Sequence, residues 1–127
     1  MTFCLKTIII KPEKEIPINN AIILLHGYGG DGKDISMLAL NWKRFLTNVI
    51  FLCPNAHERC SVNPNGFQWF DLIKEDPQFI LEQSIKAEKK LHQFINEVKK
   101  EFTREELLKN APSEEDGYVK VPKITEE

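Results

Sequence analysis

Ala21-Ile-Ile-Leu-Leu-His-Gly-Tyr-Gly-Gly-Asp-Gly-Lys-Asp34 is the stretch whose reading decides the fold. Its first five residues are apolar without alternation, the pattern of a strand covered on both faces in a mainly parallel sheet, and this predicts a central strand. Four glycines follow within six residues, Gly27 to Gly32. Beyond them Ile35, Leu38, Ala39, Trp42, Phe45 and Leu46 recur at helical spacing, so a helix follows the turn. Val49-Ile-Phe-Leu-Cys53 is then a further short strand, stopped by Pro54, and strand, helix, strand predicts a right-handed βαβ unit.

Outward from that unit, Phe3 to Ile10 reads as an earlier strand, and Pro12, Pro17, Asn19 and Asn20 punctuate the connection between them. Asn55 to Gln68 reads as a loop. Asp76 followed by Pro77 is a good start for a long helix. Its apolar stripe of Ile80, Leu81, Ile85, Leu91, Phe94, Ile95, Val98 and Phe102 predicts packing on the sheet. Thr103 to Glu106 has capping-box spacing and predicts a short helix through Lys109. From Ala111 onward the composition is acidic, with few large apolar residues, as in a frayed tail. The expected division is residues 1–102 as an α/β body and 103–127 as a short helix and polar tail.

Composition bounds the function classes. At 127 residues, 42% hydrophobic and 28% charged, the chain has the make-up of one globular domain. A formal charge of -2 offers no basic surface for nucleic acid. No apolar run approaches bilayer length and the start has no basic n-region, so neither a membrane span nor export is expected. An odd cysteine count of 3 suits a reducing compartment, and the expected location is the cytoplasm.

A glycine-rich turn between a buried strand and a helix frees backbone N–H groups and lets the main chain approach an anion. Two chemistries compete for it. Gly27 to Lys33 has the G-x-x-x-x-G-K spacing of a P-loop, but Asp34 stands where a magnesium-binding hydroxyl is needed, and its charge would repel phosphate. The alternative is an oxyanion hole, because α/β-hydrolases place one stabilising N–H on such a turn.

The motifs Leu24-Leu-His-Gly-Tyr-Gly-Gly-Asp-Gly-Lys-Asp34, Leu52-Cys-Pro-Asn-Ala56 and Trp69-Phe-Asp71, in this order and spacing, resemble the carboxylesterase/phospholipase family of α/β-hydrolases, relatives of acyl-protein thioesterases. The resemblance runs from about Ile8 to Phe102 and covers the N-terminal half of such a fold. It implies a partial α/β-hydrolase fold, a mainly parallel sheet with flanking helices, lacking the nucleophile strand and everything after it. It also implies an ester or thioester substrate, no cofactor, and the backbone N–H of Tyr28 as an oxyanion donor. His26, Gly27, Gly29 and Gly30 would shape the substrate side of the turn, with Trp69 lining the acyl or leaving-group side. For His26 a satisfied histidine at a strand end is the simpler expectation.

The family's Gly-x-Ser-x-Gly is absent, and so are the later triad aspartate and histidine. Ser36 and Ser84 fall in helical patterns, Ser61 in a loop and Ser113 in the tail, none with flanking glycines. The expectation is a hydrolase by descent that is inactive alone, or a non-catalytic piece completed by a companion chain carrying the C-terminal half. Cys53, His57 and Cys60 have the spacing of three zinc ligands but lack a fourth on the same loop; Cys4 or His92 could supply it, yet no metal is expected.

Overall fold

The computed structural model describes residues 2–102. The readings for Thr103 to Lys109 and for the acidic tail lie outside the described residues. Three strands, β1 (Thr7–Ile10), β2 (Asn20–Ile23) and β3 (Val49–Pro54), form one sheet in the order β1-β3-β2. β2 pairs parallel to β3, with Ala21 opposite Ile50 and Ile23 opposite Leu52. β1 pairs antiparallel to β3, with Ile8 opposite Cys53. The architecture is α/β, with one parallel and one antiparallel pair in this small mixed sheet.

The central strand is β3, not the Ala21 to Leu25 run. All six residues of β3 are buried, whereas β2 is mostly half-buried and lies at an edge of the three-stranded sheet. An unbroken apolar run fits either position; what distinguishes β3 is a neighbour on both sides. Leu25, just past β2, is 43% exposed.

Helix α1 (Gly32–Trp42) links β2 to β3, completing the strand, helix, strand unit. Asp31 caps it: the carboxylate accepts the Asp34 N–H at 2.8 Å, satisfying a donor that a helix start leaves unpaired. One face of the sheet, with Phe51 and Cys53, packs against Ala39 and Ile35 of this helix. The other face, with Ile50 and Leu52, packs against Ala87, Phe94, Val98 and Phe102 of α2 (Pro77–Phe102). Asp76 starts α2 as its sequence predicts, accepting the Phe79 N–H at 3.0 Å.

Both helices carry more apolar surface than three strands can cover. On α2 the buried residues fall in the C-terminal part, while Ile80, Leu81 and Ile85 near the start are about half exposed. On α1 and the turn after it, Leu38, Trp42, Phe45 and Leu46 face solvent, Phe45 at 77% exposure. Those two stripes are broader than the faces that meet the sheet.

The Asn55 to Gln68 segment is more ordered than a loop. β4 (Glu58–Arg59) and β5 (Phe67–Gln68) form a short antiparallel hairpin. Their polar composition and length of two residues each left no period to read in the sequence.

Candidate functional site

The glycine turn leaves β2 and enters α1, and side chains from three other segments hold it. His26 is buried, at 5% exposure. Its Nε2 accepts the Ala56 N–H at 2.9 Å, so in the neutral ring the proton sits on Nδ1, which donates to Gly27 O at 2.7 Å. The Gly30 N–H also reaches Gly27 O, at 3.1 Å. Gly27 O is therefore drawn inward by two donors. No described peptide bond is cis, and in a planar trans peptide the N–H points opposite to the C=O. The Tyr28 N–H therefore faces away from the buried ring. Among the described residues it meets no acceptor.

Three other amides of the turn, those of Gly29, Gly30 and Gly32, are committed. Gly29 N donates to Phe67 O at 2.9 Å, and Phe67 N donates back to Gly30 O at 2.8 Å. Gly32 N donates to Asn55 Oδ1 at 2.7 Å. A phosphate cradle needs several such groups free, and those of Gly29, Gly30 and Gly32 are already bound within the protein. Glycine is required at two contacts: a Cβ on Gly32 would lie 2.2 Å from Cys53 O, and Gly29 has φ +80°.

Trp69 is a strut under the turn. It is 8% exposed, its indole N–H donates to His26 O at 2.9 Å, and its ring stacks on the His26 imidazole at 5.4 Å between centroids. Phe70, beside it, is 42% exposed. The Tyr28 hydroxyl lies 3.4 Å from Ser61 Oγ, which donates to Asp71 Oδ1 at 3.2 Å. Asp71 also accepts the Ile73 N–H, the local turn role its sequence position suggests.

The described serines are spent on structure. Ser36 Oγ donates to Lys33 O and Ser84 Oγ to Ile80 O, inside helices, and Ser61 meets Gln68, Asp71 and Tyr28 without a histidine base. Among the described residues no group of three or more His, Cys, Asp or Glu could hold a metal ion. Cys53 lies in the α1 side of the core, where burial pushes its thiol up to about 11. The His57 side chain is buried, with neither ring nitrogen hydrogen-bonded among the described residues and Nε2 3.9 Å from Glu58 Oε2, and the burial pulls its pKa below the ordinary value.

Sequence reasoning brought His26, Gly27, Tyr28, Gly29, Gly30 and Trp69 to one place, and the structure gathers them around a single turn. It missed Asn55, Asn63 and the hairpin that grips the turn. The available signal was Asn63-Pro-Asn-Gly66, a strong turn sequence between two short segments.

The sequence model of a family described as Phospholipase/Carboxylesterase matches residues 6–112. The chain belongs to this family. Among solved structures the chain is similar to that titled "Crystal structure of esterase PE8", with 27% identity and a TM-score of 0.67 over 76% of this chain and 46% of that one. A different likeness is confined to 31 residues, 24% of this chain. There it is 61% identical to a small component of the aspartyl/glutamyl-tRNA(Asn/Gln) amidotransferases of Caldicellulosiruptor saccharolyticus and of Caldicellulosiruptor bescii. The chain spans about half the esterase's length, at 46%, and 33% of each amidotransferase subunit's. No described helix is long and apolar enough to cross a membrane.

Proposed function

We propose that this chain is the front part of an α/β-hydrolase acting on small carboxylic esters or thioesters, and that the Tyr28 N–H is one donor of its oxyanion hole. The observation that carries this reading is the outward Tyr28 amide, which meets no acceptor among the described residues while the Gly29, Gly30 and Gly32 amides are bound. Such a donor stabilises the negative oxygen that develops when an acyl carbonyl is attacked. His26 and Gly27 position it, and Gly29, Gly30 and Trp69 form the frame on which the substrate would rest.

The chain alone does not turn over. It has no Gly-x-Ser-x-Gly, and an oxyanion hole without its triad retains only roughly 10³ to 10⁴-fold acceleration over water in a worked protease case. The second N–H, from the residue after a nucleophilic serine, is also lacking. The purified 127-residue chain should hydrolyse a short p-nitrophenyl ester at no more than the buffer rate. Steady, active-site-titratable hydrolysis would overturn this assignment.

A second reading is favoured by the edge of β2, which has no second strand partner among the described residues: a non-catalytic piece completed by a companion chain carrying the C-terminal half. Unpaired strand edges flanked by exposed apolar side chains recruit further strands. Light scattering on a sizing column tests it, and a monodisperse, well-behaved monomer counts against it. The body would be residues 1–102. Residues 103–127 would then be a short helix and polar tail, although the family match itself runs on to residue 112. The cytoplasm remains the location that the cysteine usage supports.

A further inference from the structure

The hairpin grips the turn at the Gly29–Gly30 peptide. Asn63, between β4 and β5, donates from Nδ2 to Gly29 O at 2.8 Å. Its Oδ1 accepts the Asn65 N–H at 3.2 Å, so the two ends of the amide are told apart by their partners. Gly66, three residues on, packs so closely that an added Cβ would lie 2.0 Å from Gly29 O. Gly29 itself sits at φ +80°, a conformation in which a peptide unit can rotate without a side chain to stop it.

We propose that Asn63 is a positioning residue for the Tyr28 N–H, acting through two successive peptide planes. Asn63 holds Gly29 O, and planarity sends the Gly30 N–H the opposite way, onto Gly27 O. Gly27 O is held there, and planarity again sends the Tyr28 N–H outward. His26 fixes the same carbonyl from the buried side, and among the described residues Asn63 supplies the side-chain donor to the Gly29–Gly30 peptide. The role rests on the oxyanion reading of the turn.

Asn63→Asp isolates the effect. The aspartate keeps an acceptor for the Asn65 N–H but sets a carboxylate oxygen against Gly29 O, which drives that peptide to turn over. Asn63→Ala removes the donor without repulsion. Amide exchange and backbone NMR on the full chain read the outcome, with sodium acetate as the anion probe and sodium chloride at equal ionic strength as the control. In the wild type acetate should shift the Tyr28 amide selectively. In Asn63→Asp the Gly30 amide should exchange about tenfold faster and the Tyr28 response should vanish, with Asn63→Ala intermediate. The Ala56 amide, held by His26, should keep its protection; loosening of the whole fold would expose both.

Gly30 exchange unchanged in Asn63→Asp, with the Tyr28 response intact, would overturn the positioning role while leaving the oxyanion reading standing. A wild-type Tyr28 amide that ignores acetate would overturn the oxyanion reading itself.

Discussion

Replacing Gly66 by alanine should break the grip of the hairpin on the turn, and the structure gives the size of the effect. The new Cβ would stand 2.0 Å from Gly29 O and 2.5 Å from Gly29 C, well inside the 3.4 Å at which ordinary contact begins. Both opposing atoms are backbone, so no rotamer change relieves the clash. The hairpin must move off the turn, and that motion breaks Gly29 N to Phe67 O and Phe67 N to Gly30 O. Each bond is worth about 1 kcal/mol, and overpacking adds about 1–3 kcal/mol, for a loss of roughly 3–5 kcal/mol. In urea the unfolding midpoint should fall by roughly 2 M. The fluorescence of Trp69 follows it, since that ring lies against His26. Gly27→Ala is the control in the same turn: its added Cβ meets nothing within 4 Å. It should stay within about 0.5 kcal/mol of wild type. If Gly66→Ala were equally mild, or Gly27→Ala equally costly, the clamp would not exist as described.

Phe94, wholly buried between α2 and the sheet, should cost about 3–5 kcal/mol on truncation to alanine, measured by the same denaturation. Cys53 gives an alkaline limit. Burial raises its pKa from 9.0 to about 11, so the unfolded chain loses that proton first, and stability present below pH 9.0 is lost as pH rises toward 11. The two-unit difference corresponds to about 2–3 kcal/mol, and Cys53→Ala should remove that part of the alkaline slope. His57 gives an acid limit of opposite sign: burial lowers its pKa below 6.5, so the unfolded chain binds the proton first and stability falls as pH drops below that value. His57→Phe should flatten the acid side of a stability profile.

How much of this was legible in the sequence depends on the physical signal each element carries. The three strands of the sheet were readable because apolar, β-branched runs between turn residues have few other uses. Their order was not: the Ala21 and Val49 runs look alike, and only the pairing of β1 with β3 makes the second one central. The start of α2 was readable from Asp76 and Pro77. Its buried face was read too broadly, because periodicity reports which residues share a side and not how far the sheet beneath extends. The turn was readable from its glycines and His26, but its clamp was not. Asn63 acts through one carbonyl 34 positions away in sequence, and a contact of that kind has no local period.

The strand order carries a consequence for how the chain can be made. Among the described residues neither β1 nor β2 has any strand partner except β3, the last of the three to be synthesised. A nascent polypeptide that has not yet released Val49–Pro54 from the ribosome therefore holds two sticky, hydrogen-bond-hungry segments with nowhere to go. Non-local pairing of this kind is slow to find. Chaperone dependence during translation should therefore peak over the window in which residues 20 to 54 emerge, and fall once the middle strand arrives.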